Sequence, residues 1–251
     1  MQALYHRQVL QRALGARLSA RALAAITRAN LGQDSLSGLL NHPDYHFDDN
    51  LFAEGLKYIE DQRARAVSVA LRRPAEAWAA FGRLSHAAQD FYSHSNYVAL
   101  WMERITPHPA PAKRPIGKPP MGRGSPLPHL RSQPTAAQSQ TEQMGEAGRG
   151  LPPIETIDGL DPDLLTHPRL RSGRVYWPVE ALWILPPFRP LVKLVVPKDS
   201  HAWMNLDSPA SGPLFPYSIE AAVQRTAFEF ERTLALIGEE KGEEAVRRFS
   251  D

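Results

Sequence analysis

Apolar residues recur at helical spacing through the first hundred residues of the chain. Residues 3–31 predict a helix that is broken near Gly15. Its apolar face carries Leu10, Leu14, Leu18, Ala22 and Ala25. A second helix is predicted over 51–72. One face of it carries Phe52, Leu56, Ile59, Ala66 and Val69. Pro74 suits the first turn of a third helix, which is predicted over 75–102.

The hydrophobic pattern stops after this third helix. Eleven of the 23 prolines lie between Pro107 and Pro153, and no Phe, Trp or Tyr occurs between Trp101 and Tyr176. Such a segment buries too little apolar surface to offset the entropy lost on ordering. Residues 104–152 are therefore predicted to be a disordered Pro-rich insertion, a passive linker by preference and a docking segment as the alternative.

Helical periodicity returns near the end of the chain. A fourth helix is predicted over 217–237, with Ala221, Phe228 and Leu236 facing inward, and a short charged helix follows it. Several long helices and little strand signal predict a mainly α fold. A chain of 251 residues is long enough for one domain with a substantial core, so a single α-helical domain is expected over 1–251.

Composition narrows the chemistry. The chain has no cysteine, so any bound metal would be held by His, Asp or Glu. A net charge of +2 is too balanced to indicate nucleic-acid binding through bulk charge. No apolar run approaches the roughly 20 residues of a membrane helix, and no signal-peptide pattern is seen. These features predict a cytoplasmic protein without a transmembrane segment.

The stretch "HAAQDFYSHSN" places three metal-capable side chains on one helical stripe. His86, Asp90 and His94 are spaced by four residues, so they lie about 40° apart in succession. His94 lies about 12 Å from His86 along the axis, so the two cannot bind the same ion. The stripe implies either two ions, or one ion and an unrelated histidine. The alternative is a helix whose polar residues cap aromatic neighbours.

Three more histidines could join this stripe. His6 opens the first helix, His46 lies among acids in "DYHFDDN", and His201 opens "HAWMNLDSP". Each of them alone is more typical of a structural or exposed histidine. The chain shows no phosphate-binding loop, no GxGxxG and no GxSxG sequence, so nucleotide binding and serine hydrolysis have no signal.

The segment "GRLSHAAQDFYSHSNYV" closely resembles the signature helix of the Het-C family, within the superfamily of zinc-dependent phospholipases C and single-strand-specific nucleases. Other segments resemble family motifs in the same order along the chain: "LYHRQVLQRAL", "ITRANLGQD", "DYHFDDN", "RLRSGRVYWP" and "SHAWMNLDSP". The resemblance covers about 170 residues. It implies a multi-helix domain like those of the phospholipases C and nucleases.

The resemblance also implies a ligand set for two or three Zn²⁺ ions. The first cluster would comprise Asp34, His46, His86 and Asp90. His6 would bind a neighbouring ion that shares Asp90, and His94 would bind another ion together with His201. That last site usually includes an acid four residues after the histidine. Here this position is Asn205, with Asp207 and Glu220 nearby.

The function implied by this resemblance is metal-dependent phosphodiester hydrolysis of the phospholipase C type. Zinc would activate a water molecule, and Asp34 would orient it or take its proton. The expected partners are a phospholipid or another phosphodiester substrate, with peripheral membrane contact. A single-strand nuclease and a catalytically silent, metal-stabilised interaction protein are the alternatives.

Overall fold

A computed structural model describes residues 1–35, 38, 42–106 and 150–251 of the chain. The fold is mainly α-helical, as predicted, and the described residues contain two isolated β-bridges but no strand. Most of the predicted Pro-rich insertion, residues 107–149, lies outside the described residues. No helix among the described residues is long and apolar enough to cross a membrane.

Among the described residues, five helices precede the proline-rich segment: α1 (Ala3–Leu14), α2 (Ala20–Leu31), α3 (Phe52–Val69), α4 (Pro74–His94) and α5 (Tyr97–Ile105). Five more follow it: α6 (Pro162–Leu165), α7 (Arg189–Val195), α8 (His201–Met204), α9 (Phe215–Lys241) and α10 (Glu243–Ser250). Short 3₁₀ turns connect several of them. The predicted break after the first helix is confirmed. Ser19 begins α2 by accepting a hydrogen bond from the Ala22 N–H.

Helix α4 forms the centre of the fold. Nearly all of its residues from Ala77 onward are buried, because α2, α3 and α9 pack against it on different sides. On every face of a helix that is surrounded in this way, the side chains must be apolar or must form hydrogen bonds or ion pairs inside the protein. The polar residues in its C-terminal half therefore need partners inside the protein.

Gly82 allows α2 and α4 to approach closely. A Cβ atom at this position would lie 2.4 Å from the Ile26 carbonyl oxygen and 2.7 Å from the Ala29 Cβ. We expect Gly82→Ala to destabilise the protein by about 1–3 kcal/mol, because the helices would have to separate. Gly32→Ala is the matched control, since a Cβ there meets nothing within 4 Å. Equal melting temperatures for the two variants would contradict this packing.

The prediction of one helix over 75–102 is wrong at its C-terminal end. Helix α4 stops at His94, Ser95 is extended (φ −108°, ψ 167°) and α5 starts at Tyr97. Contacts with a distant segment replace the lost helical hydrogen bonds. The Asn96 N–H donates to the Arg171 carbonyl (2.9 Å), and Asn96 Oδ1 accepts from the Arg171 N–H (2.8 Å). Periodicity alone does not reveal such a tertiary partner.

The predicted inward position of Phe228 is wrong, and Leu56 on the predicted apolar face of α3 is exposed as well. Leu56 is 45% exposed and Phe228 is 42% exposed. Next to Phe228, the carboxylate of Glu229 is fully buried and pairs with Arg63 of α3 and Arg225 of α9. The buried face of α9 is therefore turned toward an ion pair, which leaves Phe228 outside.

Candidate metal centre

The C-terminal half of α4 presents three buried metal-capable side chains. His86 and Asp90 are inaccessible to solvent, and His94 is 5% exposed. All three have other histidines or carboxylates within 4 Å. The helical stripe predicted from the sequence therefore lies inside the protein.

The first group of side chains surrounds the N-terminal part of this stripe. Suitable ligand atoms of His6, Asp34, His86 and Asp90 all lie within 4.8 Å of one another. His86 Nε2 is 3.0 Å from Asp90 Oδ2 and 3.6 Å from Asp34 Oδ1. His46 joins them, with Nδ1 at 2.9 Å from Asp90 Oδ2 and 3.1 Å from His86 Nε2. Asp34 is the most accessible member, at 29% exposure.

A second group lies one turn further along α4. Ligand atoms of Asp48, His94 and His201 lie within 4.8 Å of one another. Asp48 Oδ1 is 3.0 Å from His201 Nδ1 and 3.3 Å from His94 Nδ1. Asp207 adds a further carboxylate, with Oδ1 at 3.3 Å from His94 Nε2. Asn205 takes no part, because its side-chain amide donates to the His201 carbonyl (2.8 Å).

Asp90 connects the two groups. Its Oδ2 faces His46 and His86, whereas its Oδ1 lies 3.4 Å from His6 Nε2 and 3.9 Å from His94 Nε2. The amino group of Met1 lies in the same space, 2.6 Å from Asp90 Oδ1 and 3.0 Å from Asp207 Oδ1. One carboxylate therefore contacts both clusters.

A hydrogen-bond network fixes the orientation of the His6 ring. Gln89 Oε1 lies 2.6 Å from His6 Nδ1 and also accepts from Asn30 Nδ2 (3.3 Å). The Gln89 amide nitrogen donates to Thr226 Oγ1 (3.2 Å). Because Gln89 presents its oxygen, the His6 Nδ1–H donates to it. In the neutral form of the ring, Nε2, which lies 3.4 Å from Asp90 Oδ1 and has no hydrogen-bond partner, then carries the lone pair.

A strained turn brings Asp48 and His201 together. Phe47, Asp49 and Asn50 all adopt positive φ angles, which cost about 1–3 kcal/mol each in non-glycine residues. Hydrogen bonds tether the turn to the segment between α6 and α7. The Asp49 N–H donates to the Gly173 carbonyl (2.9 Å), and the Asn50 side chain accepts from the Ser172 N–H (2.9 Å).

The tethered segment in turn holds α8 in place. The Arg174 carbonyl accepts from the His201 N–H (2.8 Å). Gly173 passes so close that a Cβ there would lie 2.5 Å from the His201 Cα. Residues that are more than 150 positions apart in the sequence are thereby brought into one cluster.

Burial and charge act in opposite directions on the pKa values of the cluster. Burial lowers the pKa of His86 to about 4, although Asp90 opposes this effect. Burial alone would also lower the pKa of His94, but Asp90 and Asp48 outweigh burial and raise it to about 10. Nearby cations hold the pKa values of Asp48 and Asp207 well below the usual range, despite burial. The cluster therefore attracts positive charge strongly.

The structure thus brings together all seven predicted ligands: His6, Asp34, His46, His86, Asp90, His94 and His201. Metal binding by these residues stays a prediction. The sequence interpretation did not include Asp48, although its position two residues after His46 was a usable signal. It named Asp207 only as a neighbouring acid. Gln89 was missed because an amide within an apolar helix has no metal signature of its own.

Comparison with known proteins gives a different relationship from the one expected. Residues 1–118 match the family model of the VWA7 N-terminal domain. The chain is also similar to von Willebrand factor A domain-containing protein 7 from rat (38% identity over 93 residues) and from human (41% over 96 residues). Each alignment covers 35% of this chain and 10% of the relative, so the chain spans about a tenth of those proteins. No solved structure matches.

These findings correct the assignment to the Het-C family. The matches are to the VWA7 N-terminal domain, and they give no support to a phospholipase C-like or nuclease hydrolase. The predicted phosphodiester hydrolysis, its phospholipid substrate and the nuclease alternative are therefore withdrawn. The catalytic role predicted for Asp34 depended on that reaction and falls with it, whereas its place among the metal ligands stays a prediction. Peripheral membrane contact and the cytoplasmic location stay predictions.

Proposed function

We propose that this domain binds zinc, or a chemically similar divalent ion, in a joined site centred on Asp90. The donors available are imidazole nitrogens and carboxylate oxygens, which suit Zn²⁺. His6, Asp34, His46 and His86 would hold one part of the site, and Asp48, His94, His201 and Asp207 the other. Two groups that share Asp90 favour at least two ions.

The orientation of His6 carries this proposal. Its Nε2 is buried, has no hydrogen-bond partner and points toward Asp90, while Gln89 accepts the proton on Nδ1. A metal-bound histidine in proteins usually donates its second N–H to an oxygen in this way, which fixes the tautomer. A buried lone pair 3.4 Å from a carboxylate oxygen is unfavourable unless a cation lies between them.

The charge of the site supports the same conclusion. Four carboxylates, those of Asp34, Asp48, Asp90 and Asp207, lie within a few ångströms of the histidines. Asp48 and Asp90 are buried. Repulsion and desolvation make such a group costly unless cations compensate it. The ligands come from α1, α4, α8 and the connecting turns, so bound ions would cross-link segments that are distant in sequence and stabilise the fold.

Zinc titration of the metal-free protein tests this function. We expect Gln89→Leu to weaken zinc binding by about 10–100-fold, because His6 would lose the acceptor that sets its tautomer. Gln89→Glu should restore affinity, since a carboxylate oxygen also accepts the Nδ1–H. The measurement is competition for zinc against a chromogenic chelator.

Gln224→Leu is the matched control for this titration. Gln224 also lies in a helix and uses its side-chain amide, which accepts from the Gly159 N–H and donates to the Ile157 carbonyl. Neither of these hydrogen bonds involves a proposed metal ligand. Equal zinc affinities for wild type, Gln89→Leu and Gln224→Leu would contradict the proposed site.

A further inference from the structure

Large apolar side chains are exposed in one short segment far from the main core. Of the fourteen exposed large hydrophobic residues among those described, eight fall between residues 177 and 195. They are Trp177, Val179, Leu182, Leu185, Phe188, Leu191, Leu194 and Val195. Leu194 is 80% exposed and Val195 is 70% exposed. Scattered apolar residues are ordinary on protein surfaces, but such a concentration marks an interaction site.

The local fold explains why these side chains remain outside. The segment consists of 3₁₀ turns at Val179–Ile184 and Pro186–Phe188, followed by α7. These short elements pack on one another around a small separate core of Val192, Val196 and Ala202. So small a core can cover only one side of α7. Leu191, Leu194 and Val195 therefore face away from it.

Cations outnumber acids around this apolar surface. Arg189 and Lys193 lie 5.5 Å from the ring centre of Trp183, and Lys198 lies 3.4 Å from that of Trp203. Between residues 174 and 199 the sequence contains two acids, Glu180 and Asp199. Glu180 is buried and accepts hydrogen bonds from the backbone N–H groups of Tyr176 and Ala202. Asp199 is exposed, accepts from the Tyr176 hydroxyl (2.9 Å) and lies 4.0 Å from Arg174. The segment is therefore apolar at its surface and cationic around it.

We propose that the surface formed by residues 177–195 inserts into the interface of a lipid bilayer that contains anionic headgroups. Exposed leucine, valine and phenylalanine side chains would enter the acyl boundary, and Trp177 would lie at the headgroup level, where tryptophan is favoured. Arginine and lysine that lie along aromatic rings keep their charged ends at the edge of the apolar surface, where anionic lipids attract them. A protein partner would have to match both the apolar surface and the mainly cationic border, whereas an anionic membrane offers apolar acyl chains and negative headgroups together.

Vesicle flotation tests this surface directly. We expect the wild-type protein to float with phosphatidylcholine vesicles that contain phosphatidylserine, and to float less as salt is raised, because salt screens the cations. The double variant Leu194→Ser/Val195→Ser should bind at least about tenfold more weakly, since both side chains would lose apolar burial. Emission from Trp177, measured as the difference from Trp177→Phe, should be quenched by brominated lipid in the wild-type background.

The double variant Leu4→Ser/Leu56→Ser is the matched control. These two leucines are also exposed, at 58% and 45%, but lie outside the segment. It should float like the wild type. The proposal is overturned if the wild type fails to float, or if both double variants float equally well. It is also overturned if the wild type forms a dimer without vesicles that Leu194→Ser/Val195→Ser dissociates, because the surface would then be a protein interface.

Discussion

Chelating the bound metal is expected to lower the melting temperature of the wild-type protein by roughly 10 °C. A ligand present at about 1,000 times its dissociation constant stabilises the folded state by about 4 kcal/mol. For a protein of this size, each kcal/mol corresponds to about 2–4 °C. Asp90→Asn should abolish most of this chelator effect, because Asp90 contacts ligands in both groups. The measurement is a thermal melt of each protein with and without chelator.

His42→Ala is the control for this melting experiment. The ring of His42 stacks on Tyr45 at 4.2 Å and its side chain is 42% exposed, so it lies outside the proposed ligands. This variant should keep the full chelator response. Each variant is compared with itself, with and without chelator, because Asp90→Asn also alters the metal-free state by removing one of the negative charges that the Met1 amino group contacts. A wild-type protein whose melting temperature does not respond to chelator would contradict a stabilising metal.

Glu229→Ala is expected to destabilise the protein by about 3–5 kcal/mol, whether or not metal is bound. The Glu229 carboxylate is fully buried, pairs with Arg63 and accepts from Arg225 Nε at 2.7 Å. Arg63 is itself only 1% exposed. Removing Glu229 would leave the guanidinium of Arg63 buried without its buried partner, which is the costly way to break such a pair. Denaturant unfolding of the two proteins gives the difference.

Two further variants separate a buried ion pair from ordinary side-chain packing. Arg63→Met/Glu229→Leu removes both charges of the buried pair and should recover part of the lost stability, because the guanidinium of Arg63 no longer stays buried without its partner. Arg225, which is 12% exposed, still loses its carboxylate partner in this variant. Asp61→Ala breaks the exposed Lys57–Asp61 pair and should change stability by no more than about 0.5 kcal/mol. If Glu229→Ala were as mild as Asp61→Ala, the buried pair would have no major structural role.

Much of the helical framework could be predicted from the sequence, because helix formation follows local periodicity. The predictions placed helices near α1, α2, α3, α4 and α9, with errors mostly at their ends. The break at Ser95 was missed because its cause is the distant segment around Arg171. The exposure of Phe228 was missed because an ion pair between two helices decides which face of α9 is buried. Neither contact has a local sequence signal.

Some residues of the candidate site could likewise be predicted from local spacing, and others could not. His86, Asp90 and His94 could be placed together because a helix fixes residues four apart on one side. The distances from Asp48 and Asp207 to this stripe could not be predicted. Asp48 lies in a turn with positive φ angles that is tethered to Ser172 and Gly173, and the Asp207 carbonyl accepts from the Gln2 N–H (3.2 Å). The order of the motifs that contain His and Asp along the chain also did not determine the family. Residue types can indicate what a site could bind, but the reaction and the relatives need separate evidence.

The most direct measurement of the central claim is the metal content of the purified protein. Elemental analysis should find at least two zinc-like ions per chain in the wild type, and loss of most of this metal in Asp90→Asn, because Asp90 connects both groups. His42→Ala should retain the wild-type content. A wild-type protein that holds no metal, and takes up none when zinc is supplied, would contradict the account.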